Sequence, residues 1–136
     1  VKKIARIYIV EDDENLQQLY KMFLSMDGHE IVGQTQNGYE AFVDLYFNYQ
    51  ENPPEILILD YKLPGKDGLE VLDDLMKLRK LDSTLVLFIT GDQEVELDAL
   101  RKGAARFVPK PCDFRQLGDI VREILYKQKM KLEQFA

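Results

Sequence analysis

Short unbroken apolar runs alternate along the chain with longer stretches in which apolar residues recur every three or four positions. The first pattern marks strands buried on both faces, the second helices that bury one stripe. Residues 4–10 form such a run and stop abruptly at Glu11-Asp12-Asp13-Glu14. Over residues 14–26 the positions Leu16, Leu19, Tyr20, Phe23 and Leu24 share one helical face, closed by Asp27-Gly28. A short strand over 30–34 leads through Asn37-Gly38 into a helical stretch over 39–50, which Asn52-Pro53-Pro54 ends. Residues 55–60 give the clearest strand, an apolar run terminating in Asp60. Beyond a loop over 61–67 with a turn at Pro64-Gly65, Leu69, Leu72, Leu75 and Met76 predict a third helix ending near Leu81. Residues 84–89 form a further strand running into Thr90-Gly91-Asp92, and a fourth helix over 93–102 stops at Gly103. A short strand over 106–109 precedes a fifth helix, with Asp113 as N-cap and Leu117, Ile120, Val121, Ile124 and Leu125 as its stripe. Residues 127–136, carrying Lys127, Lys129 and Lys131, read as an extension of that helix or the start of a linker.

Strands and helices in strict alternation require parallel strands joined by crossovers, hence a doubly wound α/β sheet of five strands and five flanking helices. The 136 residues suit one domain, here assigned to 1–126, and 46% hydrophobic with 31% charged residues is enough for a core inside solvated faces. A single cysteine, Cys112, and a single histidine, His29, exclude a disulfide framework and a zinc site built from several such ligands. With 18 basic against 24 acidic residues the formal charge is −6, which argues against direct contact with nucleic-acid phosphates. No apolar run approaches the roughly 20 residues of a membrane span, and the start lacks a signal-peptide core, so a cytoplasmic protein without membrane contact is expected. The chain begins with Val, which fits a piece of a longer protein.

In open α/β sheets ligands gather outside the carboxyl ends of the strands. Here those ends carry Glu11 and Asp12, Asp60, Thr90, and Lys110. Clustered carboxylates repel one another unless a cation neutralises them, and an all-oxygen set at a solvent-accessible edge suits Mg²⁺. Such an ion keeps open positions for phosphoryl oxygens, beside which Thr90 offers a hydroxyl and Lys110 a positive charge. The set points to phosphoryl chemistry.

Four segments, Ile-Val-Glu11-Asp12-Asp-Glu, Leu-Ile-Leu-Asp60-Tyr-Lys-Leu-Pro64-Gly-Lys-Asp-Gly68, Phe-Ile-Thr90-Gly91 and Phe107-Val-Pro-Lys110-Pro111, fall in order at strand ends. Together they resemble the receiver domain of two-component response regulators, over essentially the whole chain from Ile4 to about Lys127. The resemblance implies a flavodoxin-like sheet of strand order 2-1-3-4-5, the order of a chemotaxis receiver. It implies that Asp60 accepts a phosphoryl group from a phosphohistidine, with Mg²⁺ held by Asp12, by Glu11, by Asp60 and by the backbone carbonyl of Lys62. It further implies that Thr90 and Lys110 hold the phosphoryl oxygens, and that Thr90 and Phe107 move as a switch reshaping the face of helix four, strand five and helix five. The partners so implied are a sensor histidine kinase or phosphotransfer protein, an output domain or target protein, and a second copy across that face. The protein would then catalyse only its own phosphoryl transfer and dephosphorylation.

Lys62 and Asp92 flank the mouth of this site, and an ion pair between them is expected. Pro111 is a candidate for a cis bond after Lys110. His29 is expected on a surface turn without a role, Cys112 in packing, and the aromatics Tyr39, Phe42, Tyr46, Phe47 and Tyr49 are too dense for one buried stripe, so part of them should be exposed. Two other function classes fit less well. A haloacid-dehalogenase-type phosphatase carries a second aspartate where this chain has Lys62, and a flavin carrier needs a phosphate-cradling loop where this chain has Glu11-Asp12-Asp13-Glu14.

Overall fold

A computed structural model describes residues 4–135; residues 1–3 and Ala136, which belong to the expected domain start and helix extension, lie outside the described residues. Five strands, β1 (Arg6–Val10), β2 (Glu30–Thr35), β3 (Ile56–Leu59), β4 (Leu85–Thr90) and β5 (Arg106–Pro109), alternate with helices. These are α1 (Glu14–Met26), α2 (Gly38–Phe47), α3 (Gly68–Lys77), α4 (Glu96–Arg101) and α5 (Phe114–Gln134). The strands pair in parallel in the order β2-β1-β3-β4-β5, the doubly wound arrangement expected.

The period-two geometry of a strand splits each apolar run between two faces. Val10, Leu59, Phe88 and Phe107 stand side by side in register across four strands, and with Tyr8, Leu57 and Val86 they pack against α2, α3 and α4. Ile7, Ile9, Ile56, Ile58, Leu87 and Ile89 fill the opposite face against α1 and α5. Every residue of β3 is buried, which is why that run has no polar alternation. Each such aliphatic side chain contributes about 1.5–3 kcal/mol on leaving water, and this rigid floor fixes where the strand ends point.

Local chemistry sets the helix limits. Asp13 caps α1 by accepting from the amides of Asn15 and Leu16, Asn37 caps α2, and Asp67 with Glu70 forms a capping box on α3. α3 ends at Lys77, earlier than the expected neighbourhood of Leu81. Arg79 takes a left-handed conformation (φ 58°) and Lys80 N donates back to Leu75 O, so Leu81 reaches the core from a turn instead. The fourth helix opens as a 3-10 turn (Gln93–Val95) before α4. The lysine-rich segment after Tyr126 continues α5 as helix as far as Gln134.

His29 departs from expectation, being 4% exposed. Its Nδ1 accepts from Ala5 N at 3.0 Å and Nε2 lies 3.3 Å from Gly118 O, so a neutral ring protonated on Nε2 ties β1 to α5. A Cβ at Gly118 would overlap the Asp27 carboxylate, which Arg122 holds at 3.0 Å. A surface turn was expected because Gly28 and His29 follow a helix end; the docking of α5 over that turn is a long-range contact that local sequence does not carry.

Burial lowers the His29 pKa below its ordinary 6.5, with Arg122 adding to the effect and Gly118 O, Asp27 and Glu55 opposing it. The folded state therefore binds fewer protons than the unfolded chain, and the contribution of His29 is full above the ordinary value and lost as pH falls below it. Acidification from about pH 7.5 to about pH 5.5 is expected to lower the urea midpoint of the parent protein more than that of His29→Gln. Equal losses in both would assign the acid sensitivity to other groups.

Candidate functional site

The chain leaves β1 for an edge strand on one side and returns at β3 on the other, so the carboxyl ends of β1 and β3 face a topological switch point. Glu11 and Asp12 follow β1, Asp60 follows β3, Thr90 closes β4, and Lys110 lies just beyond β5. The sheet ladder continues into these residues: Asp60 N donates to Val10 O at 3.2 Å, Glu11 N to Thr35 O at 3.1 Å, and Lys110 N to Thr90 O at 2.9 Å. Gly68 lets the start of α3 close on this edge, since a Cβ there would overlap the carbonyl of Asp60.

Glu11, Asp60 and Thr90 are buried, while Asp12 is exposed. One oxygen from each of Glu11, Asp12 and Asp60 lies within 4.8 Å of the others. Lys110 Nζ sits 2.5 Å from Asp60 Oδ2 and 2.8 Å from Glu11 Oε1, bridging two buried carboxylates. The second oxygen of Asp60 accepts from Tyr61 N at 2.7 Å, and the second oxygen of Glu11 from Asp13 N at 3.1 Å. Glu11 Oε1 has the Lys110 ion pair but no well-aligned hydrogen bond.

Three carboxylates against one ammonium leave two uncompensated negative charges when all are ionised. Burial pushes the Glu11 carboxyl up to about 7, with the charge of Asp60 adding to it and the nearby Lys110 ammonium and the Asp13 amide opposing it. Burial also works to lower the Lys110 ammonium, but its hydrogen bond to Asp60 and its contacts with the carboxylates of Asp60 and Glu11 outweigh it and hold the group above its ordinary value. An all-oxygen donor set, one exposed ligand open to water and surplus negative charge fit a hard divalent cation.

Around this centre, Thr90 Oγ1 donates to Asp92 Oδ2 at 3.2 Å, and Lys62 Nζ lies 3.2 Å from Asp92 Oδ1 across the mouth. Phe107 is half-buried and its ring stacks on Phe88 at a centroid distance of 6.2 Å. The Lys110–Pro111 bond is cis. Cys112 is half-buried among the α1 and α5 side chains, where burial pushes its thiol up. Of the aromatic group, Tyr39 and Phe47 are exposed, whereas Phe42 and Tyr49 pack on the core.

Two residues unnoticed in the sequence support the site. Gln17 is buried within α1, and its amide donates to Thr35 O at 2.8 Å and to Glu11 O at 3.3 Å. Its signal was a polar residue one step from the apolar stripe at Leu16. Asp13 was legible only as part of an acidic run, yet it caps α1 with its side chain and holds Glu11 with its amide.

Comparison with known proteins agrees with this geometry. Residues 7–122 match the family profile of the response regulator receiver domain. The chemotaxis protein CheY of Thermotoga maritima is 28% identical over 106 residues, 78% of this chain and 85% of that protein. The regulatory protein AtoC of Escherichia coli is 26% identical over 132 residues, 96% of this chain but only 27% of that longer protein. The crystal structure of a CheY-like receiver domain protein from Methanospirillum hungatei superposes with a TM-score of 0.79 at 27% identity, covering 95% of this chain and 99% of that one.

Removing Lys110 would leave Glu11 and Asp60 without their shared cation. Lys110→Met is expected to cost about 2–3 kcal/mol at pH 8, less than a fully buried pair because Lys110 is partly exposed. The cost should shrink on acidification through about 7, where Glu11 takes up a proton and needs no counter-charge. Urea unfolding at pH 8 and pH 6 checks this; a cost that grows on acidification contradicts the assignment.

Proposed function

The chain belongs to the receiver domain family of two-component response regulators, which act as phosphorylation switches, and from that premise we propose that Asp60 is its phosphoacceptor. The observation that carries the assignment is the convergence of Glu11, Asp12 and Asp60 around the Lys110 ammonium at the carboxyl edge of the sheet. An Asp60 carboxylate oxygen attacks the phosphorus of a phosphohistidine on a histidine kinase or phosphotransfer protein. The P–N bond breaks, its electron pair returns to the imidazole nitrogen, and an aspartyl phosphate results.

Glu11, Asp12, Asp60 and the Lys62 carbonyl would hold Mg²⁺, which supplies positive charge against the phosphoryl oxygens when bound. Lys110 is already within hydrogen-bond reach of Asp60 and follows the charge onto the phosphoryl group. The Thr90 hydroxyl donates to a second phosphoryl oxygen, and Phe107 then repacks beside Phe88, altering the surface of α4, β5 and α5. That face reads out the state to an output domain, a target protein or a second copy. Residues 1–126 make up the switch domain, beyond which α5 continues as helix to Gln134.

The family is a signalling domain rather than a general catalyst, and the chemistry proposed for this chain is limited to transfer onto Asp60 and hydrolysis of the resulting aspartyl phosphate. Among the described residues no helix is long and apolar enough to cross a membrane, and the net charge of −6 disfavours contact with nucleic acid by this domain itself. A cytoplasmic location is consistent with a partner kinase presenting its phosphohistidine there.

Incubation with Mg²⁺ and acetyl phosphate is expected to add one phosphoryl group by intact mass, with no adduct in Asp60→Asn and none in the presence of a chelator. An adduct that survives in Asp60→Asn places the acceptor elsewhere.

A further inference from the structure

A threonine hydroxyl has one proton to donate, and in this structure Thr90 donates it to Asp92 Oδ2 at 3.2 Å. The return contact comes from the backbone, Asp92 N donating to Thr90 Oγ1 at 3.3 Å. The other carboxylate oxygen of Asp92 faces Lys62 Nζ at 3.2 Å. Lys62 stands on the loop that follows Asp60, and Asp92 on the loop that follows Thr90, so the three side chains link the loops after β3 and β4. Asp92 also occupies the N-cap position of the 3-10 turn Gln93–Val95, yet its side chain makes no cap hydrogen bond. A residue type favoured for capping is here engaged by Thr90 and Lys62 instead.

We infer that Asp92 is a latch on Thr90: it holds the hydroxyl away from Asp60, and the phosphorylated state forms only when Thr90 exchanges Asp92 for a phosphoryl oxygen. Asp92 is thus a positioning residue, acting on the reacting group through Thr90, and Lys62 steadies it. The inference rests on Asp60 being the phosphoacceptor. It assigns to Asp92 a cost that opposes phosphorylation, because one hydroxyl proton cannot serve both acceptors. Lys62 is 75% exposed in its side chain, so its own share is small.

Two other effects of Asp92 would look similar: its negative charge repelling an incoming anion, and its bulk obstructing the mouth. Substitution separates them. Asp92→Asn removes the charge but retains an amide oxygen that accepts from Thr90, whereas Asp92→Ala removes the acceptor. Thr90→Val removes the hydroxyl while keeping the shape.

The test is the affinity for beryllofluoride in the presence of Mg²⁺, an aspartyl phosphate mimic, in a double-mutant cycle between Asp92 and Thr90. Asp92→Ala is expected to bind about five-fold tighter than the parent, the worth of one hydrogen bond of modest net strength. Asp92→Asn should stay within about two-fold of the parent, and Asp92→Ala in a Thr90→Val background should change the affinity by less than about two-fold. A gain of equal size in Asp92→Asn, or one that persists with Thr90→Val, makes Asp92 a charge or a plug and overturns the latch while leaving the receiver reading intact. Parent protein whose uptake of beryllofluoride is unaffected by Asp60→Asn overturns that reading, and the latch with it. A measurement without any ligand checks the pairing of the two residues: Thr90→Val removes the acceptor of the Asp92 amide and should speed its hydrogen exchange, and an unchanged rate would overturn the pairing on which the latch rests.

Discussion

One ammonium group governs the carboxyl edge of this sheet. Lys110 reaches from beyond β5 to Asp60 after β3 and to Glu11 after β1, and so spans every central strand end. Its position requires β5 to lie next to β4, whose Thr90 carbonyl receives the Lys110 amide at 2.9 Å. A different strand order would leave two buried carboxylates facing each other without a counter-ion, at a cost far above that of an ordinary surface pair. Topology and electrostatics therefore select the same arrangement. The β1–β3 neighbourhood brings the acids together, and the outermost strand delivers the base.

The pair is not balanced, and the imbalance is the useful part. A fully neutralised site would gain nothing from a cation, whereas Glu11, held near 7 by burial, keeps this one responsive to added positive charge. The supporting groups leave one side of the site open. Gln17 and the Asp13 amide occupy the backbone and side-chain oxygens of Glu11 that face α1, and the Tyr61 amide occupies one oxygen of Asp60. What remains open is the side toward Asp12 and solvent.

Much of this was legible in the residues because the strands are buried on both faces. A run such as Ile56 to Leu59 has no polar alternation to confuse its length, and an ionisable residue at its end stands out. The order of the strands was not legible from periodicity, since parallel runs look alike wherever they sit; it came from resemblance and agrees with the structure. His29 and Gln17 are silent in the sequence for one reason. Each satisfies its polar atoms through partners distant in sequence, Gly118 for one and Thr35 for the other, and a polar residue in a helix stripe or turn carries no local mark of such a partner. The end of α3 failed differently: Leu81 continued the apolar spacing, but a left-handed Arg79 turned the chain first.

The division of labour between floor and rim follows from the same physics. Beneath the site, Val10, Leu59, Phe88 and Phe107 form a continuous row in register, and close-packed side chains have few intermediate positions. Above it, Thr90, Asp92 and Lys62 meet through hydrogen bonds and an exposed ion pair that exchange partners at small cost. Thr90 belongs to both, since its backbone lies in β4 two residues beyond Phe88 and its hydroxyl lies in the rim. In the proposed switch a change of hydroxyl partner at the rim would reach the row through the two-residue step along β4 from Thr90 to Phe88, on which the half-buried Phe107 stacks.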